Sequence, residues 1–392
     1  MKILLIHNHY QQAGGEDSVF QAEKELLEHA GHQVIVYERD NAEINSYAAL
    51  QKLSLIKNTT WSGDSQREIS QILKRERPQV AHFHNTFPLI SPSGYFACRE
   101  AGVPVIQTIH NYRLLCSNAL LYRNEHICEA CLGKTPPWPG LLYGCYQGSR
   151  GKTLILVSML TIHRLIRTWE KMVDVFIALS VFSRVKLIEG GLPAEKIIIK
   201  PNFVFPDPGQ ADVGGSYGIV VGRLSQEKGI DALLKAWDRL TNRRLKVVGD
   251  GPLMQTMQEY INSHDNDNVE LCGWMPRDKT MASIKGSMFL IFPSQSYENF
   301  PLVIAEAYAC GKPVIAPRLG AMQEIVWDGI TGVQYTPGNI EDLAEKIEWA
   351  FTHPGAVEKM GQNAREEYEQ NYSADTNYQK LIDIYDNAIN RR

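Results

Sequence analysis

Glu298 and Glu306 stand with seven residues between them in PSQSYENFPLVIAEAYACGKPVIAP, residues 293–317. Pro301 suits the first turn of a helix and Asn299 its N-cap, which puts Glu298 in the preceding loop and Glu306 inside the helix. The two carboxylates then share no exposed face. A helix start offers unpaired backbone N–H groups and the positive end of the dipole, a place for phosphate. Glu298 beside it could meet hydroxyls and Glu306 a ribose diol; a plain loop acid and an exposed helical acid would show the same spacing. In VVGRLSQEKGI, Arg223 and Lys228 flank one turn after Gly222. A forked guanidinium and a compact ammonium suit a departing diphosphate, and a solvated surface turn would also carry them.

Four of the seven cysteines fall between Cys116 and Cys145, with eleven, two and thirteen residues separating Cys116, Cys128, Cys131 and Cys145. Two readings stand open, a structural zinc held by four thiolates, and free or redox-paired thiols in an inserted loop. If zinc is there, four protein ligands close its shell and make it structural. His110 ends the run PVIQTIH and His84 follows the last apolar residue of QVAHF; His7, His9 and His82 also sit near strand ends. Such histidines are as a rule satisfied structural groups. Gly14 and Gly15 form a small-residue loop in AGGEDS. Asp265, Asn266 and Asp267 spell a metal-holding triplet, but in a polar loop ahead of a strand a surface turn explains them. GDG at 249–251 lacks the third glycine of a dinucleotide fingerprint. Trp274, after NVELCG, is a candidate nucleobase platform. Residues 150–172 place Arg150, Lys152, Arg164, Arg167 and Lys171 among large apolar side chains, a pattern for an anionic membrane surface or for a core helix with one wet face.

What positions these groups is legible as rhythm. KILLIH, HQVIVYE, QVAHFH, PVIQTIH, VFIALS and KIIIKPN, then YGIVVGR, RLKVVGDG, NVELCGW, MFLIFPS, PVIAP and GVQYT, are short apolar runs separated by helical stretches. Strands alternating with helices predict an α/β chain of two doubly wound parallel-sheet domains, six strands each, facing a central cleft. Ligands in such sheets bind beyond the carboxyl ends of strands, where the residues above collect. Proline and glycine over residues 203–218 predict the linker. With 392 residues, 44% hydrophobic and a net charge of -4, the chain is a folded protein with no basic field for nucleic acid. Its apolar runs are too short to span a bilayer and its first ten residues lack a signal cleavage site, so a cytoplasmic location is expected.

Taken together, ENFPLVIAE, ACGKPVIA, GRLSQEKG and KPNFV, with Asn202 in the last, resemble the retaining glycosyltransferases of family 4, which have the GT-B fold of two Rossmann-like domains. The resemblance implies an acceptor-binding domain over 1–204 with a Cys-rich insert at 116–145. It implies a nucleotide-sugar-binding domain over 205–370 and a terminal helix, 371–392, returning to the first domain. Carried over, Arg223 and Lys228 hold the donor's diphosphate and Glu306 its ribose, with Gly15 and Gly222 lining the same donor site. Glu298 and His110 serve the donor sugar at the reacting centre, and the backbone of Asn299, Phe300, Pro301 and Leu302 completes the contacts. Asn299 stands where the family often has glycine. Gly14 and His84 fall on the acceptor side. No catalytic metal is expected. The activity implied is transfer of a sugar from a nucleoside diphosphate donor to a glycan or lipid-linked acceptor, in cell-surface polysaccharide synthesis, with peripheral contact at the inner membrane face. Rivals are a sugar nucleotide epimerase or hydrolase on the same fold, and a catalytically silent zinc-containing interaction protein. The donor's base and sugar and the oligomeric state are not encoded legibly.

Overall fold

The computed structural model describes residues 1–11, 14–47, 49–211, 214–240, 242–264 and 268–391, the side chains of 49–54 excepted; Asp265, Asn266 and Asp267 lie outside the described residues. The strands in chain order are β1 (Lys2–His9), β2 (Gln33–Asp40), β3 (Val80–Phe83), β4 (Val105–Thr108), β5 (Tyr122–Arg123), β6 (His126–Ile127), β7 (Val175–Ala178), β8 (Ile197–Ile199), β9 (Tyr217–Val221), β10 (Arg244–Val248), β11 (Val269–Gly273), β12 (Phe289–Ile291), β13 (Val314–Pro317) and β14 (Gly332–Tyr335). They build two six-stranded sheets, ordered β2-β1-β3-β4-β7-β8 and β11-β10-β9-β12-β13-β14, and a small antiparallel pair, β5-β6. Every pairing within the two large sheets is parallel. Both have the doubly wound pattern in which strand order reverses beside the first strand.

All twelve expected runs are strands. Strands covered on both faces must be apolar throughout, and β3, β4, β7, β12 and β13 are buried at every residue. β1 runs on to His9, so His7 and His9 lie within the strand instead of beyond it. The β5-β6 hairpin, inside the cysteine segment, was not foreseen.

The chain divides into two compact units. The first comprises Met1–Leu121, Cys128–Pro201 and Asn377–Arg392; the second comprises Tyr122–Ile127 and Asn202–Thr376. The break falls between Pro201 and Asn202, so residues 203–218 belong to the second unit.

In the first unit, the helix Gly15–His29 starts at Gly14, whose N–H donates to the Asp17 carboxylate at 2.7 Å. It buries Val19, Phe20, Glu23, Leu26 and Leu27. The chain's last helix, Ala374–Asn390, buries Leu381, Ile384, Tyr385 and Ala388. In the second unit the core gathers Val220, Leu245, Phe289 and Ile315 from the sheet with Leu233, Trp237 and Ile347 from helices. Among the described residues no helix is long and apolar enough to cross a membrane.

Candidate active site

The second unit brings the Arg223–Lys228 turn and the Glu298 loop together at the carboxyl ends of β9 and β12. Ser294 Oγ and the Gln295 N–H both donate to the Glu227 carbonyl, at 3.3 and 2.9 Å. Gly229 closes the turn at φ +70°, and a Cβ there would lie 2.0 Å from the Pro293 carbonyl oxygen. Only glycine permits so close an approach.

Lys228 Nζ donates to Glu298 Oε1 at 2.7 Å, and Ser294 Oγ donates to the same oxygen at 2.7 Å. Arg223 pairs with the Glu227 carboxylate, which also accepts from Ser225 Oγ at 2.7 Å. Burial opposes ionisation of Glu227, but the Ser225 hydroxyl and the Arg223 charge outweigh it and hold the carboxyl below its usual range. Both cations therefore rest on the protein's own carboxylates. A polyanion binding there would find both charges already in place.

The helix after the loop spans Leu302–Ala309, with Pro301 at the N-cap position and no side-chain cap. This corrects the expectation of Asn299 as N-cap and Pro301 inside the first turn: Pro301 has extended ψ of 111° and precedes the helical residues. Among the described residues, the N–H groups of Phe300 and Leu302 donate no hydrogen bond, which leaves a helix start free for an anion. Phe300 is buried against Tyr372, and its carbonyl accepts from Asn202 Nδ2 at 3.2 Å. Glu306 is not the exposed helical acid its spacing also allowed. It is 8% exposed, burial raises its pKa, and Arg277 opposes that rise with a contact at 3.0 Å. Glu227, Ser294 and Arg277 escaped the sequence reading; Glu227, between the two cations in RLSQEK, was the one with a visible signal. Gly222 follows β9 at φ +152°. Trp274 is exposed beyond β11.

In the first unit, His84 and His110 meet beyond β3 and β4. Their rings stack at 5.2 Å, with His84 Nδ1 3.0 Å from His110 Nε2. His84 is buried and His110 half-buried. Both line a polar pocket with Thr108, Asn85, Asn111 and Arg113. Gly14 is extended at φ -127°, so its backbone alone does not require glycine. Glu16, just after Gly15, accepts from Asn111 Nδ2 at 3.1 Å, while its other oxygen is buried and among the described residues accepts no hydrogen bond. Burial, then the charge of Asp17, pushes the Glu16 carboxyl up to about 8. Sequence reading missed Glu16 because an acid in the first turn of a helix is ordinarily solvated.

Among the described residues no cysteine is in a disulfide. Burial, with the neighbouring charges of Cys116, Cys145 and Cys128, raises Cys131 to about 11, and the Gly140 N–H donates to its sulfur at 3.1 Å. Among the described residues, the groups whose donor atoms lie within 4.8 Å of one another are His7, His9 and Asp17, and Glu23, His82 and His84; the four cysteines are not among them. The β5-β6 hairpin of this segment is tied to the site turns: Tyr122 Oη donates to Gln295 Oε1 at 3.1 Å and Gln226 Nε2 to Glu125 at 2.6 Å. The helix Arg150–Leu165 buries Leu156, Val157, Met159 and Leu160 on one side and exposes Leu154, Ile162 and Leu165 on another.

Comparison with known proteins places this geometry. Residues 13–207 match the family model described as Glycosyltransferase Family 4, and residues 207–367 match Glycosyl transferases group 1. An uncharacterized glycosyltransferase of Methanocaldococcus jannaschii is 33% identical over 38% of this chain and 42% of its own length. The alpha-D-kanosaminyltransferase of Streptomyces kanamyceticus is 27% identical over 43% of this chain and 44% of its own. The chain thus spans less than half the length of these curated relatives. Among solved structures, Anabaena HepE in complex with UDP superposes with a TM-score of 0.67 at 18% identity, over 98% of this chain and 99% of that one. The two family matches run end to end over nearly the whole chain, and the protein belongs to the family 4, group 1 glycosyltransferases.

Proposed function

We propose that this chain transfers a sugar, with retention of anomeric configuration, from a nucleoside diphosphate sugar to a hydroxyl of a glycan or lipid-linked glycan, in the building of a cell-surface polysaccharide. The observation that carries the reading is the pair of cations on one glycine-closed turn, Arg223 and Lys228, held by Glu227 and Glu298 beside an uncapped helix start. As the glycosidic bond breaks, negative charge grows on the diphosphate. Fixed cations and N–H dipoles stabilise that charge more than the ground state, which is what accelerates the step. Glu298, released from Lys228 by the diphosphate, is then available to sugar hydroxyls. Glu306 is assigned to the ribose, and His110 to the donor sugar. These protein groups supply the stabilisation without a catalytic metal in the reading. The names of the relatives and the UDP complex of HepE support a nucleotide-sugar donor.

The test is a thermal shift against UDP, GDP, ADP and CMP and their sugar conjugates. A ligand at 100 times its Kd adds about 2.7 kcal/mol. One nucleotide family is expected to stabilise the protein, and Arg223→Ala to cut the shift by about half or more. Proton NMR of the product then reads its anomeric configuration, and an inverted product would remove the mechanism. Turnover of donor without any acceptor would favour an epimerase or hydrolase.

Two parts of the reading lie outside the donor site. Cys116, Cys128, Cys131 and Cys145 close one structural zinc, which requires their sulfurs to draw together from the positions described. Elemental analysis is expected to find about one zinc per chain; none, with four titratable thiols, returns the segment to free thiols. Trp138, Leu142 and Tyr143, with Leu154, Ile162 and Leu165, are exposed near Lys134, Arg150 and Lys152, which suits an anionic membrane surface holding the acceptor.

A further inference from the structure

A buried charge sits at the centre of the first unit. Glu23 and Lys200 are 0% and 1% exposed, and Lys200 Nζ lies 3.3 Å from Glu23 Oε2 and 3.2 Å from Asn377 Oδ1. The other oxygen, Glu23 Oε1, faces two rings, His82 Nδ1 at 2.9 Å and His84 Nε2 at 3.1 Å. Burial opposes ionisation of Glu23, but Lys200 and the two histidines overcome it and hold the carboxyl well below its usual range.

An ionised carboxylate only accepts, so the nitrogen that hydrogen-bonds it, His84 Nε2 at 3.1 Å, carries a proton. His84 therefore has its proton on Nε2. Burial and the neighbouring His82 push its pKa down to about 3, so the ring is neutral and its Nδ1 is bare. A bare nitrogen must accept, and its partner at 3.0 Å is His110 Nε2. His110 is held neutral by burial and by His84, which fixes its single proton on Nε2. Among the described residues nothing hydrogen-bonds its Nδ1. His82 Nδ1 also lies 2.7 Å from the Tyr385 hydroxyl, and its Nε2 lies 2.7 Å from Thr108 Oγ1.

We propose that Glu23 is a positioning residue that acts through His84 to lock His110 in the Nε2–H tautomer, leaving Nδ1 as a bare acceptor for a ligand hydroxyl. The lock selects ligand chemistry. A neutral ring offering a lone pair takes a hydrogen bond from a sugar hydroxyl and repels a phosphate oxygen, so His110 faces the hydroxyl-bearing part of whatever binds there. Lys200 is the counter-charge that keeps the lock ionised inside a dry core, where an unpaired carboxylate would take up a proton instead. This inference deepens the proposed function, on whose assignment of His110 to the sugar it rests, but its premise concerns the free protein.

The test is a long-range proton–nitrogen correlation spectrum of the full chain with nitrogen-15 histidine at neutral pH, His84 and His110 being assigned by their loss in single His→Gln variants. The expected result is that both rings are neutral and protonated at Nε2. A His110 ring protonated at Nδ1, or at both nitrogens, overturns the proposal. In Glu23→Gln the carboxamide donates as well as accepts, and His110 is expected to become a mixture of tautomers while the unfolding transition stays cooperative. Should that variant fail to fold, Glu23→Gln with Lys200→Met removes the stranded ammonium, and His84→Phe removes the acceptor of His110 Nε2–H. A pure Nε2–H signal for His110 in His84→Phe sinks the relay. UDP-glucose is then titrated in. The locked tautomer with no response of the His110 signals to any nucleotide sugar fails the proposed function alone, since the lock itself is read without ligand.

Discussion

Arg223 and Lys228 are half exposed and a quarter exposed, and each rests on a carboxylate of its own chain. Removing either costs little stability, because partly exposed ion pairs contribute at most ~1 kcal/mol. Removing either should cost binding far more, since a hydrogen bond to a charged group is worth about 1.5–3 kcal/mol, or roughly 10- to 100-fold. Arg223→Ala and Lys228→Ala are each expected to raise the Kd for the bound nucleotide in that range, measured by calorimetry, with Tm nearly unchanged. Glu16 makes the opposite kind of prediction. The folded chain keeps its carboxyl protonated up to about pH 8, whereas an unfolded carboxyl loses its proton near 4.5. Between those values the folded state binds the extra proton, so stability falls as pH rises. Glu16→Gln should therefore be more stable than the parent at pH 8, with the advantage shrinking to nothing below pH 4.5, as read from urea midpoints. Arg223, Lys228, Glu298 and Glu306 could be singled out as candidates because each sits in a run of distinctive neighbours. Glu23, Glu16 and Arg277 were not. Their significance lies in burial and in partners far along the chain, as with Glu23 and Lys200, 177 residues apart, and spacing does not report either.

At the level of elements, the twelve sheet strands were legible because parallel strands covered on both faces must be continuous apolar runs. The hairpin was not. Its strands are two residues long, and its turn places Asn124 and Glu125 at φ 51° and 63°. Glutamate is a poor choice for a position that favours glycine, so the turn carries no visible signature. Glycine does decide two other elements, in opposite ways. Gly229→Ala drives a methyl into the Pro293 carbonyl and should separate the cation turn from the Glu298 loop, lowering Tm and weakening nucleotide binding together. Gly355 lies in the helix Pro354–Glu367 with nothing within 4 Å of an added Cβ. There alanine should stabilise by about 0.4–1 kcal/mol through the unfolded state, with binding untouched. The helix Arg150–Leu165 presents Leu154, Ile162 and Leu165 to solvent. Its exposed leucines and isoleucine beside basic residues should float the protein with vesicles containing anionic lipid and not with neutral ones. Leu154→Ser with Leu165→Ser should abolish flotation without lowering Tm, since both side chains are already exposed.

For the whole molecule, the division of the chain matters more than its length. The second unit is built almost entirely from one continuous stretch, Asn202–Thr376, while the first takes in both ends of the chain. A chain stopped after Thr376 loses Asn377 beside Lys200, Tyr385 Oη at 2.7 Å from His82, and Tyr378 Oη at 2.8 Å from His32. That truncation is expected to expose the first unit's core to a hydrophobic dye while nucleotide protection of the second unit persists. Two-domain architecture was readable from strand rhythm alone, and the return of the last helix came from family resemblance. Nothing in ADTNYQKLIDIYDNAI names the sheet it covers, because an amphipathic face records only that it is buried.

The returning helix also sets a clock. Asn377 caps the Pro201 carbonyl from 176 residues downstream, and a ribosome adding ~5–20 residues per second needs roughly ten to thirty-five seconds to make that stretch. Through that interval the part of the protein born first waits unfinished, its buried lysine and glutamate still within reach of water, while the part born later can close. Synthesis and completion run in opposite orders, and whatever shelters nascent chains has the amino-terminal half, not the carboxyl-terminal one, to hold.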